Sequence, residues 1–444
     1  MGFLIHVYRT VKFINSGSIF DCFIEFTDNK INLMETGKHN LPRKGFIFRI
    51  LSYFNYMFRE TRLFDKVEMD NSIVVYSNSS REYEASQFIL EFEIKEKVTF
   101  IGSYPYKNSF ASYLTGLMLF PILFWKLIRS EPIYRKISRY LIDQMILCTG
   151  LFYTYQRLIN KESTKCIIYS NHLSPQVIVC LKIGKLENIP SIYIEHTQMI
   201  NSWPKIDCDY FLLSGRNSAE KLLKKTDQKY KKIFLVGSPK LDLIKVAENN
   251  NKRISICLGA EDDIKKVASL ILSIQSNITN DKILLRPHPS LNKTAYYKYL
   301  HTLNVTIKKP QDQSLVDFFK STDIIITNDS GIFFEAGYAN KLVLRYMFST
   351  KPIDTYSVDE SFVYGYFRSE KKIIKVISDY KLKPFHVRPL FKKYYDNIGT
   401  EFDGSARQLG LSALIKIGFI ELENNNVDLA VFKESSFNIN SIND

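Results

Sequence analysis

The sequence predicts an α/β protein made of two parallel-sheet units that face one another across a cleft. Three observations predict it. The chain has 444 residues, more than one domain of about 150 holds. Short β-rich runs alternate with helix-length amphipathic ones. A polar stretch without periodicity, Glu248 to Arg253 (ENNNKR), separates two such series. At 45% apolar and 24% charged residues, the composition is that of an ordinary folded protein.

The first series begins with IVVY (73–76), a helical pattern from Arg81 to Phe92, and VTFIG (98–102). After a long helical region come CIIYS (166–170), a helix from Pro175, SIYIE (191–195), DYFLLS (209–214), a helix from Asn217 and IFLVG (233–237). The second series runs ISICLG (254–259), a helix to Ser276, KILLR (282–286) and a helix from Leu291. It continues with VTIKK (305–309), a helix from Gln313, DIIIT (323–327), a helix from Gly331 and LVLRY (342–346). Continuous β-branched runs are strands buried on both faces, and strands that alternate with helices form parallel sheets, so each series has a Rossmann-like form. The expected domains are 1–250, 251–424 with a last helix over 404–422, and a loose Asn-rich tail, 425–444. Residues 1–70 are assigned to the first unit, although their pattern specifies least.

Sixty Lys and Arg against 46 Asp and Glu give a net charge of +14, which calls for an anionic partner. Aromatic and basic residues are not interleaved on any one element, so nucleic acid is not the expected one. The six cysteines show no C-x-x-C spacing, which indicates neither a zinc site nor a disulfide framework and fits a reducing cytosol. Asp207-Cys208-Asp209 reads as a strand entrance, and no metal or cofactor is expected. Met1 to Phe13 lacks the pattern of a signal peptide.

One stretch suggests lipid. Ala111 to Ile128 reads ASYLTGLMLFPILFWKLI, ends in Trp125 and Lys126, and is followed by Arg129, Arg135, Lys136 and Arg139. Its unbroken apolar part is shorter than the roughly 20 residues of a spanning helix. The aromatic and basic flank instead suits a helical segment, 107–140, lying in the headgroup layer of a cytosolic leaflet. The alternative is a core helix kinked at Pro121.

Four polar clusters sit at predicted strand ends, where open α/β sheets bind ligands. In Arg286-Pro287-His288-Pro289-Ser290 two prolines stiffen a turn that presents a guanidinium and an imidazole suited to phosphate oxygens. In Thr327-Asn328-Asp329-Ser330-Gly331 a strand passes into a helix start, with Glu335 one turn later; anion binding and simple capping by Asp329 or Ser330 are both open. In Glu195-His196-Thr197-Gln198 a histidine beside a carboxylate suits a general base, and a buried, satisfied histidine is the alternative; His172 is a weaker case of the same kind. Gly237-Ser238-Pro239-Lys240-Leu241-Asp242 either shapes the cleft wall or is a plain strand-to-helix turn.

Together these clusters, over roughly Cys166 to Met347, resemble the nucleotide-sugar-dependent transferases of the GT-B fold. RPHPS, TDIIITNDSGIFFEAGYANKLVLRY, EHT and GSPKLD carry the likeness. Within that fold the chain is most similar to bacterial capsule and surface-polysaccharide transferases with an HP motif, such as polysialyltransferases, and to teichoic-acid glycerophosphotransferases. The resemblance implies that His288 contacts the phosphate of the nucleotide-sugar donor, that Ser330 and its neighbouring amides complete the phosphate site, and that Glu335 lies near the nucleotide sugar; the strand-end clusters add Arg286, Ser290, Asn328, Asp329 and Gly331 as expected donor-binding residues. It implies an acceptor-binding first domain; there, the residues themselves make His196 and Glu195 candidate catalytic groups beside His288, as a general base or to hold a substrate hydroxyl, with His172, Gly237 and Ser238 expected along the cleft. Taken with the apolar and basic segment 107–140, a transferase of this kind is expected to act on a lipid-linked or polymeric glycan acceptor, as a cytoplasmic enzyme peripheral on the inner face of the plasma membrane. The acidic pair before Gly expected in the first domain has no counterpart; Glu261-Asp262-Asp263 lies in the second. The same segments resemble non-hydrolysing UDP-N-acetylglucosamine 2-epimerases, although a single Gly follows Ser330. A binding module of the same fold is a third reading.

Overall fold

The computed structural model describes residues 2–23, 45–59, 61, 72–196, 199, 206–224, 232–243, 253–259, 262–278, 282–288, 300–310, 312–328, 330–348, 364–384 and 406–423. The chain opens with two helices, α1 (Gly2–Asn15) and α2 (Phe46–Arg59). In α2 the residues Arg49, Tyr53 and Met57, spaced four apart, form the buried face. Next come β1 (Ser72–Tyr76), α3 (Ser80–Ser86) and β2 (Lys97–Ile101). Ser79 starts α3: its hydroxyl accepts from the Glu82 N–H, while the Glu82 carboxylate accepts from the Asn78 N–H.

Between β2 and the next strand lie α4 (Phe110–Ile128) and α5 (Pro132–Leu158), the latter kinked at Leu141. These two helices pack with backbone almost touching backbone. A Cβ on Gly150 would stand 1.7 Å from the Ser112 carbonyl oxygen, and one on Gly116 would stand 2.3 Å from that of Ile146. The first unit continues with β3 (Thr164–Tyr169), α6 (Pro175–Leu186), β4 (Ser191–Ile194), β5 (Tyr210–Leu213), α7 (Arg216–Leu223) and β6 (Lys232–Leu235).

The second unit contains β7 (Ile254–Cys257), α8 (Ile264–Asn277), β8 (Ile283–Arg286), β9 (Val305–Ile307), α9 (Leu315–Lys320), β10 (Ile324–Thr327), α10 (Ile332–Tyr338) and β11 (Leu342–Tyr346). Two further elements, β12 (Gly365–Phe367) and α11 (Glu370–Leu382), complete it. The last helix among the described residues is α12 (Ala406–Ile417).

Both sheets are six-stranded and parallel, in the orders β2-β1-β3-β4-β5-β6 and β12-β11-β10-β7-β8-β9. The first sheet is buried on both faces, as its apolar runs require. Val74, Tyr76, Ile167 and Tyr169 point into the core beneath α4 and α5, while Ile73, Val75, Cys166 and Ile168 point into a core on the opposite face. The second sheet has its own core, which includes Phe318, Phe333 and Ile377.

The division at 251–424 needs correction at its far end. Helix α12 packs on the first sheet, where Leu409, Leu411 and Leu414 join Ile73, Val75 and Phe88. Asp242 fastens it by accepting from the N–H groups of Ala406 (3.1 Å) and Arg407 (2.8 Å), and Arg407 pairs with Glu91 at 2.6 Å. The amphipathic pattern of 404–422 shows that the helix has a buried face but carries no information about which sheet meets it. The expected linker lies outside the described residues except for Arg253, as do the tail and all of the helix expected from Leu291 apart from Leu300.

Candidate active site

In each sheet the strand order reverses once, and a reversal opens a crevice beyond the strands' carboxyl ends. In the first sheet it lies between β1 and β3, and in the second between β7 and β10. Most of the predicted polar residues gather at these two places.

At the second crevice Arg286, Cys257 and Thr327 stand in one row across β8, β7 and β10. Arg286 and Thr327 are thus two strand spacings apart, about 10 Å. Arg286 is buried; its Nη1 donates to the Gln313 carbonyl oxygen at 3.1 Å, and its guanidinium lies 4.9 Å from the Phe318 ring centroid. Burial is the main cause lowering its pKa, offset by the charges of Cys257 and Glu335. His288, two residues on, is half-buried, and burial pulls its pKa below the ordinary histidine value. Burial thus favours its neutral form.

Asn328 is held at the tip of β10 by donating to Asp262 Oδ1 at 2.9 Å, and the Gly259 N–H donates to the other carboxylate oxygen at 2.7 Å. Within the acidic run Glu261-Asp262-Asp263, Asp262 therefore positions the turn and Asp263 caps α8 by accepting from the Lys265 N–H. Ser330 and Gly331 precede α10, and Glu335 lies in its first turn. Cys257, at the tip of β7, is no nucleophile: burial pushes its thiol up to about 12, against the opposing influence of Arg286. Ser290 and Asp329 lie outside the described residues.

The first crevice brings together the ends of β1, β3 and β4. Asn78 donates to Ser174 Oγ at 2.8 Å, and Asn171 donates to Glu82 Oε1 at 3.1 Å. His172 is buried edge-on to Tyr193, with ring centroids 5.8 Å apart. His196 Nδ1 is hydrogen-bonded to the Ser170 carbonyl oxygen. A carbonyl only accepts, so Nδ1 carries the proton and the lone pair of the neutral ring is on Nε2.

Glu195 does not form the expected couple with His196. Its Oε1 accepts from the Met199 N–H (3.0 Å) and the Ser218 hydroxyl (2.6 Å), and its Oε2 accepts from the N–H and hydroxyl of Ser214 (both 2.7 Å). Four donors fill the carboxylate's acceptor positions, so Glu195 holds three segments of the first domain together rather than acting on a substrate. Burial raises its pKa, and the four donors oppose that rise. Sequence adjacency suggested the pair, but the carboxylate is taken up by residues 199, 214 and 218 while the His196 ring bonds to Ser170.

Gly237 and Ser238 follow β6 and lead into a tight helical turn, Pro239–Leu243. Gly237 has φ +79°, a conformation suited to glycine. Leu241 joins the core of the second sheet, whereas Asp242 caps α12 on the first. This cluster is the junction between the domains.

One further charged residue, not picked out from the sequence, lies near the second crevice. Arg81, exposed in the first turn of α3 beyond β1, lies close enough for its charge to lower the pKa of both Arg286 and His288. Its positive charge adds, behind burial, to the causes that lower the pKa of Arg286 and His288. Arg81 sits mid-pattern in an amphipathic helix, and only its position beyond a strand end could have drawn attention to it.

No protein-family model matches this chain, and no curated protein matches it. Solved structures do. A UDP-GlcNAc 2-epimerase from Neisseria meningitidis bound to UDP-GlcNAc is 14% identical, with a TM-score of 0.51, over 78% of this chain and 99% of that one. The two share a fold. This chain has the GT-B fold. The UDP-GlcNAc 2-epimerase from Methanocaldococcus jannaschii is 12% identical over 78% of this chain and 99% of its own, with a TM-score of 0.50. The wall teichoic acid polymerase TagF is 12% identical over 84% of this chain and 97% of its own, with a TM-score of 0.49.

Proposed function

We propose that the protein is a glycosyltransferase that moves a sugar from a nucleotide-sugar donor to a lipid-linked or polymeric surface glycan. The observation that carries this reading is that Arg286 and His288 at the end of β8 and Asn328, Ser330 and Gly331 after β10 come together at the reversal point of the second sheet. Arg81 faces them from the first domain.

In the proposed reaction the bond between the anomeric carbon and the donor phosphate oxygen breaks, and its electron pair leaves with the nucleotide. Arg286, His288 and Arg81 stabilise the charge that develops on that phosphate, and no metal ion is required. Glu335 lies on the sugar-nucleotide side. The acceptor hydroxyl forms the new bond to the anomeric carbon and passes its proton to a base in the first domain. His196, with its tautomer set by the Ser170 carbonyl, is the candidate. Closure of the two domains excludes water and limits donor hydrolysis.

A second reading, a UDP-N-acetylglucosamine 2-epimerase, is supported by the names of the two neighbours with TM-scores of 0.51 and 0.50. Transfer is placed first because an epimerase converts one nucleotide sugar into another without an acceptor and has no use for the long basic segment 107–140. Thermal-shift screening with CMP, UDP, GDP and CDP identifies the base. Incubation with the matching nucleotide sugars then distinguishes acceptor-dependent nucleotide release from acceptor-free conversion. His288→Ala is expected to abolish turnover and weaken nucleotide binding while the protein stays folded. Wild-type turnover in that variant would overturn the placement of the phosphate site.

A further inference from the structure

The helices that cover the first sheet expose more apolar surface than a solvated face needs. Helices α2 and α4 lie side by side on α5. The Tyr53 hydroxyl donates to the Tyr113 carbonyl oxygen at 2.6 Å, and the rings of Phe58 and Phe110 are 6.2 Å apart. Beneath them Arg49 pairs with Asp143 of α5 at 3.5 Å, and Gly116 meets the Ile146 backbone. The faces turned away from α5 are apolar. On α4, Leu114, Met118 and Trp125 form a stripe at spacings of four and seven, with Met118 69% and Trp125 57% exposed. On α2, Ile47, Leu51 and Phe58 do the same, with Ile47 75% and Phe58 71% exposed.

One end of this surface is strongly basic. Between Gly102 and Ile142 the chain has six Lys or Arg and the single acidic residue Glu131. Arg129, Arg135, Lys136 and Arg139 are exposed at the end of α4 and the start of α5, and the Arg129 guanidinium lies 4.0 Å from the Trp125 ring centroid. An apolar stripe ending in an aromatic residue and a cation cluster matches the layering of an anionic bilayer, with acyl chains below and phosphates beside them. Helix α4 has the length and composition to cross a membrane. Its other face, from Ser112 and Gly116 to Leu123 and Leu127, is buried against its neighbours, which holds it along the surface instead.

We propose that the outward faces of α2 and α4, with the basic cluster Arg129–Arg139, form a composite docking surface for an anionic lipid bilayer. Helix α2 is as much a part of it as α4, which the hydropathy of the sequence picks out alone. The proposal goes beyond the reaction and does not depend on it.

The test is co-sedimentation of the full chain with phosphatidylcholine vesicles containing 30% phosphatidylglycerol, compared with pure phosphatidylcholine. The wild type is expected to bind the anionic vesicles at least tenfold better. Ile47→Ser with Phe58→Ser on α2 alone is expected to reduce that partition at least tenfold, with the thermal melting point of the soluble protein unchanged. Replacing Arg129, Arg135, Lys136 and Arg139 by Gln should remove the preference for anionic lipid. Absence of vesicle binding, or binding indifferent to the α2 pair, overturns the proposal. So does a concentration-dependent dimer in light scattering that the same pair abolishes, because the occupant would then be a second copy of this chain.

Discussion

Replacing Glu195 by glutamine asks whether the carboxylate is a structural clasp or a reactive group. Each of its oxygens accepts one backbone N–H, from Met199 on Oε1 and from Ser214 on Oε2, together with one serine hydroxyl. The hydroxyls can rotate and become acceptors, but the backbone groups cannot. Whichever way the glutamine amide is oriented, its NH2 faces one backbone N–H. One charge-assisted hydrogen bond, about 1.5–3 kcal/mol, is lost, and a buried donor is left unsatisfied at about 1–3 kcal/mol. Relief from burying a charge offsets part of this, leaving a net destabilisation of roughly 2–4 kcal/mol. At about 2–4 °C per kcal/mol for a domain of this size, the melting temperature should fall by roughly 4–16 °C in calorimetry. Well below that temperature, nucleotide release should stay within about threefold of wild type, a difference of under 1 kcal/mol. An unchanged melting point with turnover abolished would refute the structural assignment and restore Glu195 as a reacting group.

Other predictions concern the cleft, the helical layer and the domain junction. Burial and the Arg81 charge both depress the His288 pKa, so the unfolded chain binds more protons than the folded one just below the ordinary value of 6.5. This contribution to stability is present above that pH and is lost as pH falls through the window. In an NMR titration Arg81→Gln should move the His288 pKa upward, and nucleotide binding to the wild type should take up a proton near neutral pH; no movement in the variant would show that Arg81 does not face the site. Gly150→Ala places a methyl group on the Ser112 carbonyl and should cost about 3 kcal/mol or more by forcing α4 from α5, read as a lower urea midpoint; a cost under about 0.5 kcal/mol would contradict the close approach. Asp242→Ala leaves the Ala406 and Arg407 N–H groups without their acceptor and should cost about 1–2 kcal/mol. Faster amide exchange and proteolysis confined to α12 would report its release from the first sheet.

Much of the molecule was legible before any coordinates. Runs such as IVVY, CIIYS and DIIIT are β-branched and lack polar alternation, so they had to be strands covered on both faces, and the helices between them forced parallel order. The tips of these strands carried Arg286, His288 and Asn328, visible because polar residues ending an apolar run stand out locally. The early helices α1 and α2 and the late pair β12 and α11 were not read; α2 and α11 do carry a helical period on their buried faces, Arg49, Tyr53 and Met57 in one and Ile373, Ile377 and Tyr380 in the other, but they fall outside the two alternating strand–helix series.

What the sequence by itself determined was therefore whatever depends on neighbours along the chain: strand faces, helix starts, the two alternating series and the polar turns after β8 and β10. Tertiary structure alone decided which separate pieces meet. It sent α12 back to the first sheet, occupied Glu195 with backbone from residues 199 and 214, and set the charge of Arg81 where it bears on Arg286 and His288. It also laid α2 beside α4, turning two amphipathic segments into one surface. The physical reason is that local pattern specifies that a side chain is buried or charged, whereas its partner is selected by packing and charge between residues distant in sequence.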